Sequence, residues 1–424
     1  MGGAFSSKLG QRLKEVSAEI LEAQRPIRVL RSIAWPAEVE QAFFASGESQ
    51  LPRPCYPISS DVLAALERLR AVQAQLSGEN EIERFLSDTA GTMATAARML
   101  LSVGTKDFYY HSVELYGRPA GLSSDRLTTN LELARHFDDI VSGFSIPPEE
   151  DDLETIPAEA AVPLLQARLD TFFEASRVRV TVVDGLVARA AASSEEIKLQ
   201  REAVFSPRDL RQIECHEGQV HVATAQNGRA QPILVFLGIP TPRTTSTQEG
   251  LAVLNEFLTG ATSLVRVRRM SDRMLAIKQA EDGADFIEVY RFFRGRGYAK
   301  GAAFDGARRV FRGGVIEGGA PLTKDVCYLD GLLRVTNFLR IALVSGRSEL
   351  TRYLFAGKLA VEDVPLVARL CALGLAEPPR YVPAWARDLS YLTALMGYAA
   401  FLGESNLETE RRRFEDAVGR VEEL

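Results

Sequence analysis

The chain has 424 residues, 46% of them hydrophobic and 25% charged, proportions of a globular protein that can bury a core and not of a disordered or fibrous one. Fifty Lys and Arg against 56 Asp and Glu leave a net charge of -6, so the overall field does not draw in a polyanion and nucleic acid is excluded as a first expectation. Four cysteines without a CxxC pair, no export segment and an apolar run at 389–403 too short for a bilayer predict a cytoplasmic protein with no disulfide framework and no membrane partner.

From 11 to about 140 the periodicity of apolar residues predicts helices, among them 11–22, 61–74 and 82–101, separated by proline-rich joints such as 51–57. Consecutive prolines and four acids at 146–152 read as a connector and place a domain boundary near 150. β-branched residues at 177–183, followed by 186–190 and 196–205, predict a small antiparallel sheet. Ser206-Pro207-Arg208-Asp209 then opens a helix expected to run to Gln226 and to stop at Asn227-Gly228. A second helix is expected from Thr247 to Thr259, and a basic one at 264–280 whose Arg266, Arg268, Arg269 and Arg273 read as a solvated face. Glycines interleaved with arginines between Arg294 and Gly319 predict a mobile loop over a cleft, after which helices resume at Asp325. The expected architecture is α+β: a mainly helical region over 1–150, a catalytic core over 151–320 and a helical region over 321–424.

Only four histidines occur, and two of them fall in one string on the capped helix, His216-Glu217-Gly218-Gln219-Val220-His221. This HExxxH pattern offers two imidazole ligands and a carboxylate beside them, the residue types with which a helix holds zinc next to a general base. On a regular helix five steps separate two side chains by roughly 140°, whereas the four steps of the commoner HExxH leave roughly 40°. A local widening of the helix between His216 and His221, eased by Gly218, is therefore expected. The third ligand is sought on the next helix, where Glu249 of Gln248-Glu249-Gly250-Leu251-Ala252 follows His221 after a helix end and a loop. Glu249 also fits a capping box with Ser246; beside HExxxH the ligand role is favoured. Two histidines and one glutamate leave a coordination position open, the mark of a catalytic site. His111 with Glu114 reads as a structural pair and not as a second metal site.

HExxxH followed by QEGLA resembles the bacterial flavohemoglobin expression-modulating QEGLA-motif proteins and their animal relatives, the microtubule-associated tyrosine carboxypeptidases. The strings Phe108-Tyr109-Tyr110-His111-Ser112, Leu115-Tyr116-Gly117-Arg118-Pro119, and Thr323-Lys324-Asp325 with Tyr328-Leu329 are similar to blocks of the same family. The resemblance implies a zincin-like core, one Zn2+ held by His216, His221 and Glu249, and Glu217 as the catalytic residue. It also implies hydrolysis at a peptide or protein C-terminus, with tyrosine or another aromatic residue as the released group.

In that reading Glu217 takes a proton from the attacking water and passes it to the leaving amine. Tyr290, Tyr298 and Tyr328 are candidates to stabilise the tetrahedral intermediate, and Arg291, Arg294 and Lys324 to anchor a substrate carboxylate. The strand expected at 196–205 would be an edge to which an extended peptide could add. The rival from another class is a zinc-stabilised regulatory or binding protein without peptidase activity, against which an unligated Glu217 argues.

Overall fold

The computed structural model describes residues 2–123, 126–144, 155–174, 178–186 and 188–403, with side chains from residue 10 to 401; the connector expected at 146–152 lies outside them. The fold is α+β, with helices before and after two small sheets. Helices Asp61–Ala74 and Glu81–Leu101 fall within a residue of the sequence expectation. The second is started by Asn80, whose side chain accepts the Glu83 N–H, and buries Leu86, Ala90, Met93, Ala97 and Leu100 at three- and four-residue spacing. These residues belong to the largest apolar core, which also takes in Val220, Leu251 and Leu354 from much later in the chain. No described helix is long and apolar enough to cross a membrane.

The expected antiparallel sheet is in fact two pieces. Strands β1 (Ile156–Pro157) and β5 (Val204–Phe205) form an antiparallel pair, while β2 (Arg179–Val183), β3 (Ala190–Ala192) and β4 (Glu196–Gln200) make a three-stranded sheet in the order β2-β4-β3. In it β2 runs parallel to β4 and only β3 is antiparallel. β4 is thus the central strand, hydrogen-bonded on both sides, and offers no edge to an added peptide. Its inward residues Ile197 and Leu199 pack with Leu165 and Leu169 of the helix Ala158–Phe172 and with Ile213 and Val222, so the sheet serves as backing for the histidine helix.

That helix starts as its sequence dictates: the Ser206 hydroxyl accepts the Asp209 N–H at 3.1 Å, the Asp209 carboxylate accepts the Ser206 N–H at 2.9 Å, and Pro207 occupies the first helical position. It does not stop at Asn227-Gly228 but continues to Arg229. Asn227 is consumed by tertiary bonds, donating to the Phe355 and Tyr381 carbonyls at 2.7 and 2.8 Å. Gly228 is required by close packing, since a Cβ there would meet the Leu237 oxygen at 2.1 Å. The segment expected as a mobile glycine loop instead contains the helix Lys300–Phe311. Gly306 sits within that helix against the Phe293 ring, and Gly318, at φ +97, lies against the backbone of Gly283 and Ala284.

Candidate metal centre

The histidine helix is α-helical over Pro207–Ile213, π-helical over Glu214–Val222 and α-helical again over Ala223–Arg229. The wide turn spans the whole HExxxH string, and its i→i+5 bonding places residues five apart above one another. The His216 and His221 rings accordingly stand with centroids 4.9 Å apart. Gly218 serves packing at this point: a Cβ would lie 2.6 Å from the end of the Leu169 side chain.

The opposing helix, Pro242–Leu258, begins five residues earlier than expected, with Pro242 in its first turn. Ser246 is therefore inside the helix, its hydroxyl 3.3 Å from an Asp330 carboxylate oxygen, and does not form a capping box with Glu249. The Glu249 Oε2 lies 3.6 Å from His216 Nε2 and 3.8 Å from His221 Nε2, and one ligand atom from each of the three falls within 4.8 Å of the other two. Gly250, the next residue, is where this helix crosses the helix Val326–Val344: a Cβ on Gly250 would meet the Gly331 carbonyl carbon at 2.0 Å, and one on Gly331 the Ser246 oxygen at 2.1 Å. Backbone-to-backbone contact at the crossing brings Lys324, just before the second helix, to 3.0 Å from Glu249 Oε1.

Electrostatics prepare the cup for a cation. Burial pushes the Glu249 carboxyl up, but Lys324 and the two histidines hold it well below the usual carboxylate range. The His216 Nδ1 is 2.6 Å from Glu256 Oε1, an arrangement that fixes a proton on Nδ1 and turns Nε2 toward Glu249. Burial opposes a charge on His216, yet Glu249 and Glu256 raise its pKa to about 10. Glu256 is itself buried and is brought down to about 2 by His216 and Arg266, whose guanidinium grips both its oxygens. Two imidazole nitrogens, one carboxylate oxygen and a carboxylate behind the first imidazole are a donor set that fits a zinc ion. Glu217 is half-buried on the same wide turn and has no hydrogen bond or ion pair among the described residues.

Glu256, Arg266, Gln248 and Lys358 complete the site and were not singled out as such by the sequence reading. Glu256 carried a signal: seven residues beyond Glu249, it returns to the same helix face within roughly 20°. Lys358 carried none. It is buried, donates to the His221 carbonyl and the Gln248 Oε1, each at 3.1 Å, and so ties the two ligand-bearing helices together. Burial drives its pKa down to about 8 against the pull of Glu217 and Glu249. Arg266 and Arg273, expected on a solvated face, turn inward instead. The first binds Glu256; the second lies 3.5 Å from Asp325 and over the Tyr328 ring.

The remaining predicted residues divide. Lys324 adjoins the ligand trio through Glu249, and Tyr328 reaches it through Lys324, whose Nζ is 5.3 Å from the Tyr328 ring centroid. Tyr290 is buried in an aromatic cluster, 5.1 Å from Phe43 between centroids, because the helix Phe286–Gly295 turns that face into a second apolar core. The Tyr298 hydroxyl donates to Asp272 at 2.8 Å, Arg294 donates to the Tyr298 carbonyl, and Arg291 is exposed. None of these four touches His216, His221 or Glu249 among the described contacts. His111 Nδ1 lies 3.7 Å from Glu114 Oε2, and Glu114 accepts from Thr95.

A family model described as microtubule-associated tyrosine carboxypeptidase matches residues 41–404, a span that includes every residue of the site, and the chain belongs to that family. A comparison with curated proteins returned no match.

Proposed function

We propose that this member of the tyrosine carboxypeptidase family is a zinc-dependent metallopeptidase that removes a C-terminal residue, tyrosine being the first to test. The observation that carries the reading is the convergence of His216 Nε2, His221 Nε2 and a Glu249 oxygen within 4.8 Å, with the unengaged Glu217 on the same turn. A zinc ion held by these three would polarise the scissile carbonyl and make water nucleophilic near neutral pH. Glu217 accepts the proton of the attacking water and returns it to the leaving amine, for which a carboxylate with no hydrogen bond or ion pair is suited. Glu256 holds the His216 ring in one tautomer, and Lys358 holds the wide turn against the Gln248 helix. Of the three tyrosines considered, Tyr328 is the one linked to the trio, through Lys324, and its hydroxyl is assigned to the developing oxyanion. The unengaged Glu217 favours this reading over a structural zinc, which has no use for a free base at its edge.

Glu217→Gln tests the reading. The purified variant should retain zinc by elemental analysis while its turnover of a peptide ending in tyrosine falls by about 10²- to 10⁴-fold. Undiminished turnover in the metal-replete variant would remove Glu217 from the chemistry.

A further inference from the structure

Beyond Lys324 the wall of the site is basic. Arg309 makes a two-pronged bond to Asp325, at 2.6 and 2.7 Å, and Arg273 shares that carboxylate at 3.5 Å. The Arg273 guanidinium, the Arg309 guanidinium and the Lys324 ammonium surround the Tyr328 ring, at 5.5, 6.0 and 5.3 Å from its centroid. Arg312 belongs to the same group through its interactions with Arg309, Asp325 and Tyr328, but it has no hydrogen-bond or ion-pair partner among the described side chains, and its Nε is buried and unbonded. Four cations, Arg273, Arg309, Arg312 and Lys324, thus face three carboxylates, Asp325, Glu249 and Asp305, and Asp305 is also bonded by Arg308. Burial, reinforced by Arg309, drives the pKa of both Arg273 and Arg312 down to about 10. Partly buried positive charge in excess is costly unless an anion arrives to satisfy it.

We propose that Arg312 and Arg273, backed by Tyr328, form the anchor for the free α-carboxylate of a peptide substrate; the assignment rests on the carboxypeptidase reading of the neighbouring trio. Distance selects this wall. One extended residue spans at most about 3.6 Å, so the carboxylate of a C-terminal residue has to be met by the layer of side chains adjoining the ligands. Lys324, 3.0 Å from Glu249 Oε1, belongs to that layer and its neighbours continue it, whereas Arg291 and Arg294 do not touch it. Chemistry selects the arginines over the lysine: Lys324 is already engaged by Glu249, while the Arg312 fork is unspent and planar guanidinium matches carboxylate in two parallel bonds.

The test is binding, read by fluorescence anisotropy with the full-length Glu217→Gln protein and a labelled peptide ending in tyrosine, as the free acid and as the C-terminal amide. The free acid should bind at least about tenfold more tightly, the scale of a lost charge-assisted bond. Arg312→Gln and Arg273→Gln should each compress that ratio toward one through the free acid alone, with circular dichroism and zinc content unchanged, and Arg312→Lys should restore part of it. Equal affinity for acid and amide in the parent protein, which requires no change in the anchor, would overturn the proposal. So would a ratio that survives both arginine substitutions. If zinc or hydrolysis fails in the wild type while the acid preference persists, the peptidase reading falls and the carboxylate site stands; hydrolysis with no acid preference gives the converse.

Discussion

The two halves of the site are opposite in charge and in origin. The ligand cup is rich in carboxylates, Glu217, Glu249 and Glu256, and all its protein donors come from two helices lying between residues 207 and 258. The neighbouring wall is rich in cations, and its members come from three separate places in the chain: Arg273, the pair Arg309 and Arg312 at one helix end, and Lys324. A cation site and an anion site are thereby set side by side, joined by the Lys324–Glu249 pair at 3.0 Å. Under the proposed function the contrast keeps the two charges of the task apart: electron-pair donors suited to a cation on one side, hydrogen-bond donors suited to a carboxylate on the other.

The largest blow to the cup should come from removing a ligand. His216→Ala or Glu249→Ala is expected to abolish zinc retention, measured as metal per protein after dialysis; stoichiometric metal in either variant would break the assigned ligand set. Glu256→Gln leaves the trio intact but takes the charge from behind His216, and zinc affinity should fall by about 10- to 100-fold in a competition titration with a chelator. An unchanged affinity would show that the 2.6 Å contact does not tune the metal. Gly250→Ala probes the join between the halves. With a Cβ 2.0 Å from the Gly331 carbonyl carbon the helices must separate, at a cost of at least about 1–3 kcal/mol in chemical denaturation, and zinc affinity should fall with it. Wild-type stability would mean the crossing yields freely.

The smallest effect concerns the wall and acid. Burial pushes the Asp325 carboxyl up, but Arg309 and Arg273 overcome it and hold the group below its ordinary value of 3.8. A depressed folded-state pKa contributes stability that is complete above the unfolded value and is lost as pH falls toward the folded one. Thermal unfolding of the wild type should weaken below about pH 4, and Asp325→Asn, less stable at neutral pH, should decline less steeply there. Parallel acid limbs for the two proteins would exclude Asp325 as a source of the slope.

The cup was legible in the sequence because its geometry is local. Histidines five apart demand a widened helix, the wide turn is present over Glu214–Val222, and Glu249 of the following helix lies 3.6 and 3.8 Å from the two imidazoles. Capping chemistry likewise fixed the start of the helix at Pro207. Its end was misread because Asn227-Gly228 has the composition of a stop, while the Asn227 side chain and the missing Gly228 Cβ are both used by tertiary partners. The same held for the glycines after Arg294, which allow close packing and not a loose loop. The central position of β4 could not be seen, since pairing order depends on β2 arriving parallel from outside the hairpin. The anion wall was invisible for a related reason: nothing in the spacing of 273, 309, 312 and 324 announces that they meet, and arginines on a predicted helix read by default as solvated. Only Lys324 and Tyr328, in one short string, were singled out in advance.

The glycine-to-glycine crossing acts as a gear with a single tooth. Because Gly250 and Gly331 touch through main chain alone, no side-chain rotamer can absorb a relative slide of the two helices. A displacement of one is transmitted directly to the other, so the spacing between Glu249 and Lys324 is set by the skeleton itself. An engineer wishing to widen the join between the two charged halves would have to redesign this junction and not the side chains around it.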